Sequence, residues 1–343
     1  FYNDREKAKV GVYKVDRETG KYLAGAVFNL YTADDIYSVD GKLLFAAGEL
    51  VAFCPVAGAD GYTYFDCDIP IRGEYYGSSI RKDATTNSGN YIVKELRAPL
   101  GYYVNEEPME VTFTYDGQAI MVLDNTCSNK PTEMWVSKRD LTNDEELPGA
   151  TLAIKDMDGN IVTTWVSTDE PHRVTGLHFG ESYTLTEIRA ADGYALADNI
   201  TFRLIQKTDE GGNPLEECEV YYLTTKNILF WKWDDWRLLD DATVIMRDDI
   251  TKVQISKKDL TTKEELPGAE LTLTDEKGNE IDRWVSTDAP HYMERLPAGK
   301  YTLTEVTAPD GYAIAERVEF EVLPTGEVQT FEMFDDTIKV KIS

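Results

Sequence analysis

The sequence is poor in histidine and in basic residues, and both shortages exclude classes of protein. Its 343 residues include three histidines, which are too few for a histidine metal cluster and give little support to a catalytic triad. Lys and Arg number 35 against 62 Asp and Glu, so the formal net charge is −27. A surface this acidic repels nucleic acid and anionic membranes. We therefore expect no nucleic-acid partner, and we predict no metal site and no cofactor.

Long apolar runs are also missing. The chain contains no 18-residue apolar stretch, so we expect no membrane span. The first ten residues, FYNDREKAKV, lack the apolar core of a signal peptide. If the protein is secreted, its targeting and anchor segments are expected outside these residues. The sequence has no G-x-S-x-G, P-loop or Rossmann fingerprint, so a hydrolase or nucleotide-dependent enzyme is poorly supported.

Cysteine is sparse, with four residues and no C-x-x-C pair. This excludes a small domain framed by disulfides. Cys54 and Cys67 lie close together in a loop-rich stretch and could pair in an oxidising compartment. The alternative is that they are unpaired, half-buried thiols.

The chain repeats itself. Residues 136–150 read VSKRDLTNDEELPGA, and residues 255–269 read ISKKDLTTKEELPGA. A looser copy begins at VYKVDRETGKYLAGA. A period this long indicates whole domains rather than solenoid repeats. We predict three domains, called here unit one (1–130), unit two (131–249) and unit three (250–343). Relative to unit three, unit one has an insertion near 35–88 and unit two has one near 206–240.

Within each unit the hydrophobic pattern has a period of two. Segments such as ATLAIKD, AELTLTD and YTLTE alternate apolar and polar residues, and turns with Gly, Asn and Asp separate them. This predicts an all-β protein of three tandem immunoglobulin-like antiparallel β-sandwiches. Only nine positions separate Asp248 from Lys257, so we expect the units to be arranged end to end with almost no linker.

Three polar residue types recur in register. The first is a lysine in an early strand, the second a glutamate in a Y-x-x-x-E motif, and the third an Asn or Asp near the end. They are Lys14, Lys138 and Lys257; Glu95, Glu187 and Glu305; and Asn125, Asp248 and Asp335. Asn125 is chosen because it follows Tyr102 by 23 residues, as Asp335 follows Tyr312. Asp124 adjoins Asn125, and Asn227 is the alternative to Asp248.

These residues share strand faces with core positions. Glu187, for example, follows Tyr183 and Leu185 at a spacing of two residues. An isolated buried charge costs several kcal/mol. Burial of a Lys, a Glu and an Asn or Asp is therefore expected only if the three side chains meet.

The arrangement resembles the CnaB or SpaA-type domains of Gram-positive surface adhesins and pilins. The matching stretches are the K-x-D…L-x-G-A opening, the Y-x-x-x-E-x-x-A-P-x-G-Y segment and the closing M-x-D. The resemblance implies an intramolecular isopeptide bond in each unit between the opening Lys and the closing Asn or Asp, catalysed by the Glu. Such a reaction happens once per domain and is not enzymatic turnover.

The resemblance favours a structural stalk or shaft region of a protein on the bacterial cell surface, with neighbouring domains of the same protein as its partners. The alternative is an adhesive region in which the aromatic insertions of units one and two bind a host protein or glycan. Trp231, Trp233 and Trp236 in the unit-two insertion are the candidate contacts. More often, such a segment is an extra hairpin whose aromatic side chains cover their own sheet.

Overall fold

The computed structural model describes residues 7–37, 42–66, 88–114, 120–228, 231–239 and 241–338. Across these ranges the chain forms strands and turns, which confirms the all-β prediction. The same ranges contain no helix able to cross a membrane. They also contain no cluster of three or more potential metal ligands.

Among the described residues of unit one, nine strands form. They are β1 (Lys7–Asp16), β2 (Val27–Thr32), β3 (Ile36–Tyr37), β4 (Leu43–Phe45), β5 (Leu50–Phe53), β6 (Tyr62–Tyr64), β7 (Ser88–Arg97), β8 (Met109–Thr114) and β9 (Ile120–Asn129). Nine follow in unit two. They are β10 (Glu133–Asp140), β11 (Thr151–Lys155), β12 (Ile161–Val166), β13 (His172–Thr175), β14 (Ser182–Arg189), β15 (Ile200–Thr208), β16 (Pro214–Ile228), β17 (Trp231–Leu238) and β18 (Thr243–Asp248). Unit three has β19 (Lys252–Asp259), β20 (Glu270–Asp275), β21 (Glu280–Val285), β22 (His291–Glu294), β23 (Gly299–Thr307), β24 (Val318–Val322) and β25 (Val328–Asp335).

Each unit has two main sheets, and unit one adds the two-stranded sheet β3-β4. Unit three shows the plainest form, with a three-stranded sheet in the order β22-β19-β25 and a four-stranded sheet in the order β21-β20-β23-β24. Units one and two repeat the three-stranded sheet as β6-β1-β9 and β13-β10-β18. Most pairs are antiparallel, but the first and last strands of each unit pair in parallel. Such a pairing needs a long connection, and here the rest of the unit supplies it.

Turns of one recurrent type close several hairpins. In the DMDGN turn, Oδ1 of Asp156 accepts hydrogen bonds from the backbone N–H groups of Asp158 and Asn160, at 3.0 and 2.8 Å. Gly159 adopts a φ of 84°, a left-handed conformation that glycine tolerates without strain. The same arrangement recurs at Asp275 in unit three. The aspartate therefore satisfies backbone donors that the reversal leaves unpaired.

The core of each unit lies between its two sheets. The alternating residues that face inward are aliphatic or aromatic, and burying them supplies the main driving force for folding. Buried clusters centre on Phe28 in unit one, Phe202 in unit two and Leu271 in unit three. The lysines Lys14, Lys138 and Lys257 are at most 2 % exposed, which is unusual for this residue type.

The unit-two insertion is an extra pair of strands. Strands β16 and β17 add to the edge of the larger sheet, which becomes six-stranded in the order β12-β11-β14-β15-β16-β17. In unit one the extra residues include the short hairpin β3–β4. Residues 67–87, which contain Cys67, lie outside the described residues.

The contacts between units one and two include a buried side chain and two ion pairs between residues distant in the chain. Tyr103 of unit one is 1 % exposed and packs in the core cluster of unit two. The Arg17 guanidinium donates two hydrogen bonds of 2.6 Å to the Glu216 carboxylate at the start of β16. Glu18 accepts a hydrogen bond of 2.5 Å from Arg173 in β13. The unit-two insertion thus contributes Glu216 to the joint with unit one.

We predict that the Arg17–Glu216 pair restricts the relative motion of units one and two. Arg17→Glu should broaden the distance distribution between spin labels placed in the two units, and the swapped pair Arg17→Glu with Glu216→Arg should narrow it again. The expected coupling energy is modest, about 0.5–1 kcal/mol, because both side chains are partly exposed. Arg189→Glu, which removes an ion pair inside unit two, is the matched control. An unchanged distribution in the first variant would contradict the prediction.

Candidate functional site

The three recurrent polar residues of units two and three meet between the sheets. In unit two, Lys138 lies on β10 and Asp248 on β18 of the three-stranded sheet, while Glu187 reaches in from β14 of the facing sheet. The Lys138 Nζ contacts Oδ1 of Asp248 and lies 3.0 Å from Oε1 of Glu187. All three side chains are buried.

Unit three repeats this geometry. The Lys257 amine contacts Oδ1 of Asp335 and lies 3.0 Å from Oε1 of Glu305. The Lys257 side chain reaches Asp335 diagonally across the strand pair. The residue directly opposite Lys257 is Met333, two positions before Asp335. Residues two apart on a strand point to the same face, so the amine and the carboxyl share the interior.

In unit one the structure places Asn129, not Asn125, beside the lysine. The Lys14 Nζ contacts Oδ1 of Asn129 and lies 3.1 Å from Oε1 of Glu95. The Asn129 side-chain amide in turn donates to both Glu95 oxygens, at 3.0 and 2.9 Å. This corrects the sequence-based expectation that Asn125 meets Lys14.

The reason is the register of β1 with β9. Asn129 lies opposite Asp16, just as Asp248 lies opposite Asp140, whereas Asn125 lies opposite Val12. Four residues of extended chain displace Asn125 by about 13 Å along the strand. Its side-chain Nδ2 is buried without a hydrogen-bond acceptor among the described residues.

The two alternatives considered from the sequence lie elsewhere. Asp124 is exposed and accepts a hydrogen bond of 3.0 Å from the Tyr62 hydroxyl. Asn227 belongs to β16, which pairs with β15 and β17, and its side chain is outside the description. One signal in the sequence identifies Asn129 all the same. It precedes Lys138 by nine residues, as Asp248 precedes Lys257.

The orientation of each glutamate is fixed by a backbone donor. Oε2 of Glu95 accepts a hydrogen bond of 2.8 Å from the N–H of Asn105. The equivalent bonds are 2.7 Å from Ala197 to Glu187 and 2.6 Å from Ala315 to Glu305. The donor follows its glutamate by ten residues in every unit. One carboxyl oxygen is thus held by the backbone, and the other faces the lysine.

Burial makes Asp248 and Asp335 weaker acids. It raises the pKa of Asp248 to about 7 and that of Asp335 to about 6, although the neighbouring lysine in each case acts in the opposite direction. Hydrogen bonding with Glu187 or Glu305 raises these pKa values further. Oδ2 of each aspartate is buried and receives no hydrogen bond from the described residues. If this oxygen carried a proton, it could donate a hydrogen bond.

Each site is accompanied by a tyrosine–aspartate pair whose residues were not among the candidates named from the sequence. The Tyr102 hydroxyl donates to Oδ2 of Asp16 at 2.7 Å, and the counterparts in the other units have lengths of 2.7 and 2.6 Å. Each aspartate follows the lysine by two residues, and each tyrosine belongs to the G-Y pair. The full set is Tyr102–Asp16, Tyr194–Asp140 and Tyr312–Asp259. The recurring K-x-D and G-Y motifs are the signal for this pair.

Cysteine enters the unit-one site. Cys127 is buried, and its Sγ lies 3.0 Å from the Lys14 amine, at the position that Met246 and Met333 occupy in the other units. Burial raises the pKa of the Cys127 thiol. Cys54 is also buried, and its Sγ accepts a hydrogen bond of 3.0 Å from the backbone N–H of Phe28. Cys67 lies outside the described residues, so the Cys54–Cys67 disulfide stays a prediction.

The tryptophans of the unit-two insertion lie on β17. The Trp236 ring stacks over the guanidinium of Arg203 from β15 of the same sheet, at 4.3 Å. This contact agrees with the interpretation that the hairpin covers its own sheet. The side chains of Trp231 and Trp233 lie outside the described residues, so their role in ligand binding stays a prediction.

Comparison with known proteins gives a family for two of the units. Residues 132–211 and 251–337 match the family model of the SpaA prealbumin-like fold domain. No curated protein sequence matches the chain.

Several solved structures are similar at low identity. The Bacillus anthracis TIE protein is 22% identical, with a TM-score of 0.39, over 96% of this chain and 51% of the other. The full-length major pilin SpaD from Corynebacterium diphtheriae is 12% identical, with a TM-score of 0.42, over 99% of both chains. BcpA, the major pilin subunit of Bacillus cereus, is 15% identical, with a TM-score of 0.35, over 96% and 99%. This chain spans about half the length of the TIE protein.

The repeats, the two-sheet architecture and the matched segments together classify the domains. Units two and three, which contain the two matched segments, each belong to the SpaA prealbumin-like fold domain family.

Proposed function

We propose that each unit forms an intramolecular isopeptide bond between its buried lysine and the Asn or Asp that the amine contacts. The bonded pairs are Lys14–Asn129, Lys138–Asp248 and Lys257–Asp335. The observation that carries the proposal is the recurrence of one geometry. In all three units a buried amine contacts the side-chain oxygen of the acceptor, with a glutamate oxygen 3.0–3.1 Å away.

In unit one the reaction expels ammonia. The neutral amine of Lys14 attacks Cγ of Asn129, the C–Nδ2 bond breaks, and Nδ2 leaves as NH₃ with the proton that the amine gives up. Glu95 is placed to carry that proton, because its oxygens lie within 3.1 Å of both Nζ and Nδ2. The fold holds the reacting groups in contact, so the reaction step does not include the entropy loss of bringing them together from solution.

In units two and three the reaction expels water. The acceptor must be the protonated carboxyl, because a carboxylate is a poor electrophile. The raised pKa values of Asp248 and Asp335 favour this form. The amine loses one proton, the carboxyl loses its hydroxyl, and Glu187 or Glu305 transfers the proton between them.

The bonds would serve a mechanical purpose. Each joins the first strand of a unit to its last and closes a loop of 115, 110 or 78 residues. By analogy with a disulfide, closing a loop of about 100 residues restricts the unfolded chain by roughly 4–5 kcal/mol. A force applied at the two ends would then run through a covalent link, which gives kinetic stability against unfolding and proteases.

This supports a structural role as a stalk or shaft region of an adhesin or pilin-like protein on a Gram-positive cell surface. The neighbouring domains of the same protein would be its partners. The chemistry is a single turnover within each unit and needs no cofactor.

The intact mass tests the bonds. We expect a mass about 53 Da below that calculated from the sequence, the sum of one ammonia and two waters. Asn129→Ala should abolish only the ammonia loss of about 17 Da. Asn125→Ala is the matched control and should keep the full deficit. An unshifted mass for the wild-type protein would refute the proposal.

The pH dependence separates the acid acceptors from the amide acceptor. The folded-state pKa of Asp248 is raised to about 7, so the reactive protonated form gains population as the pH falls from 8 towards 6. Because folding raises the pKa of Asp248, the free energy of unfolding of the unreacted unit decreases as the pH rises towards about 7. We expect bond formation in units two and three to speed up relative to unit one. Cell-free synthesis, quenched in denaturant and followed by peptide mass spectrometry, measures the three rates together.

A second candidate function is ligand binding at a tyrosine face of unit one. Tyr13, Tyr22, Tyr62 and Tyr64 form a row on β1, β6 and the loop between β1 and β2, with ring centroids 4.7–6.2 Å apart. Tyr22 is 59% exposed. Exposed aromatic rows stack on sugars or peptides, and the described residues of units two and three do not repeat this row.

Glycan arrays and host matrix proteins test the tyrosine face. If it binds, the double variant Tyr22→Ala and Tyr64→Ala should weaken the affinity at least about tenfold. Tyr292→Ala in unit three, an exposed tyrosine at the position equivalent to Tyr64, is the control. A wild-type protein that binds none of these ligands would remove this candidate.

A further inference from the structure

The loop that contains the G-Y pair links the two halves of each reaction site. The tyrosine hydroxyl binds the aspartate two residues after the lysine. Three residues beyond the tyrosine, the backbone N–H binds the glutamate. One short loop therefore holds the lysine strand and the glutamate in a fixed relation, although they belong to different sheets.

In units one and two, the same loop also contacts the following unit. The Gly101 carbonyl of unit one accepts a hydrogen bond of 2.9 Å from the N–H of Thr132. Gly193 of unit two does the same with Thr251 at 3.0 Å. A Cβ on either glycine would lie 2.5 or 2.6 Å from a carbonyl oxygen of the following unit, that of Gly176 or Arg295. Both joints thus pack the glycine against one equivalent backbone position.

The side chain at this backbone position differs between the joints. Gly176 and Arg295 are equivalent, since each directly follows the strand that pairs antiparallel with the lysine strand, β13 or β22, and has a positive φ, 81° and 61°. Gly176 has no side chain that could contact unit one. Arg295 extends back into unit two and donates to the Tyr194 hydroxyl and, at 2.9 Å, to Oδ2 of Asp140. Its guanidinium lies 4.8 Å from the centre of the Tyr194 ring.

We propose that Arg295 of unit three is a positioning residue for the isopeptide bond of unit two. Docking of unit three brings the guanidinium onto the Tyr194–Asp140 pair and so fixes Lys138, two residues from Asp140, relative to Glu187. The inference rests on the proposed bond chemistry and adds a dependence of one unit's reaction on the next unit.

Three physical features support this role. Asp140 has only 5% of its side chain exposed, so its end of the contact is shielded from water, although the Arg295 side chain is 44% exposed. Charge-assisted hydrogen bonds from a planar guanidinium are about twice as strong as neutral ones and fix direction as well as distance. The positive φ of Arg295 is strained for a residue with a side chain, and glycine would relieve it. The arginine is therefore present at a conformational cost, which its contacts across the joint offset.

The experiment measures the three bonds separately in the full chain. Wild-type protein and Arg295→Gly are made by pulsed cell-free synthesis and quenched in denaturant, and the crosslinked peptides are quantified by mass spectrometry. Arg295→Gly copies the natural joint between units one and two, so the backbone is expected to fold. We expect the Lys138–Asp248 bond to form about three- to tenfold more slowly, with the rates in units one and three unchanged.

Arg295→Lys provides the test of positioning. Lysine keeps the charge but lacks the fork that spans the hydroxyl and the carboxylate, so we expect partial recovery of the unit-two rate. If Arg295→Gly forms the unit-two bond at the wild-type rate, the inference is overturned and the bond chemistry stands. Equal slowing in all three units would indicate a general folding defect and would also overturn it. If no unit of the wild-type protein is crosslinked, the proposed function itself fails.

Discussion

A lysine amine enclosed between two sheets is the constraint on which the rest of each unit depends. An uncompensated buried charge costs several kcal/mol, so the fold must bring partners to Lys14, Lys138 and Lys257. It does so from both layers of the sandwich. The Asn or Asp comes from the parallel partner strand, and the glutamate comes from the facing sheet. Only a closed sandwich with its first and last strands paired brings all three groups together.

The G-Y loop extends this constraint beyond the single unit. It holds the glutamate through a backbone donor, holds the lysine strand through the tyrosine–aspartate pair, and receives the next unit on its glycine. The joint and the buried lysine site therefore share one loop. The two joints share their backbone contacts but differ in side chains: exposed ion pairs and the buried Tyr103 between units one and two, and the Arg295 contacts between units two and three.

Much of the fold could be predicted because repetition multiplies weak signals. One alternating segment is ambiguous, but the same segments at an offset of 119 residues fix strands, turns and unit count together. The lysines and glutamates were located in this way, and the structure brings each pair within 3.1 Å. The parallel pairing of first and last strands left no such trace, because local alternation is the same for parallel and antiparallel neighbours. The role of the unit-two insertion in the joint was equally invisible, since it depends on a contact between Arg17 and Glu216.

The sequence by itself determined the all-β class, the recurrence of the units and the residue types of the site. Only the tertiary structure decided which asparagine lies beside Lys14. Asn125 and Asn129 point to the same face of β9, and the hydrophobic pattern does not separate them. The spacing from Tyr102 favours Asn125, whereas the spacing to Lys138 favours Asn129. The register with β1 selects Asn129, 115 residues away from Lys14 in the chain. That register is set by packing over the whole sandwich. The position of Arg295 on Tyr194 and Asp140 was decided in the same way, because it requires one unit to be seated on the next.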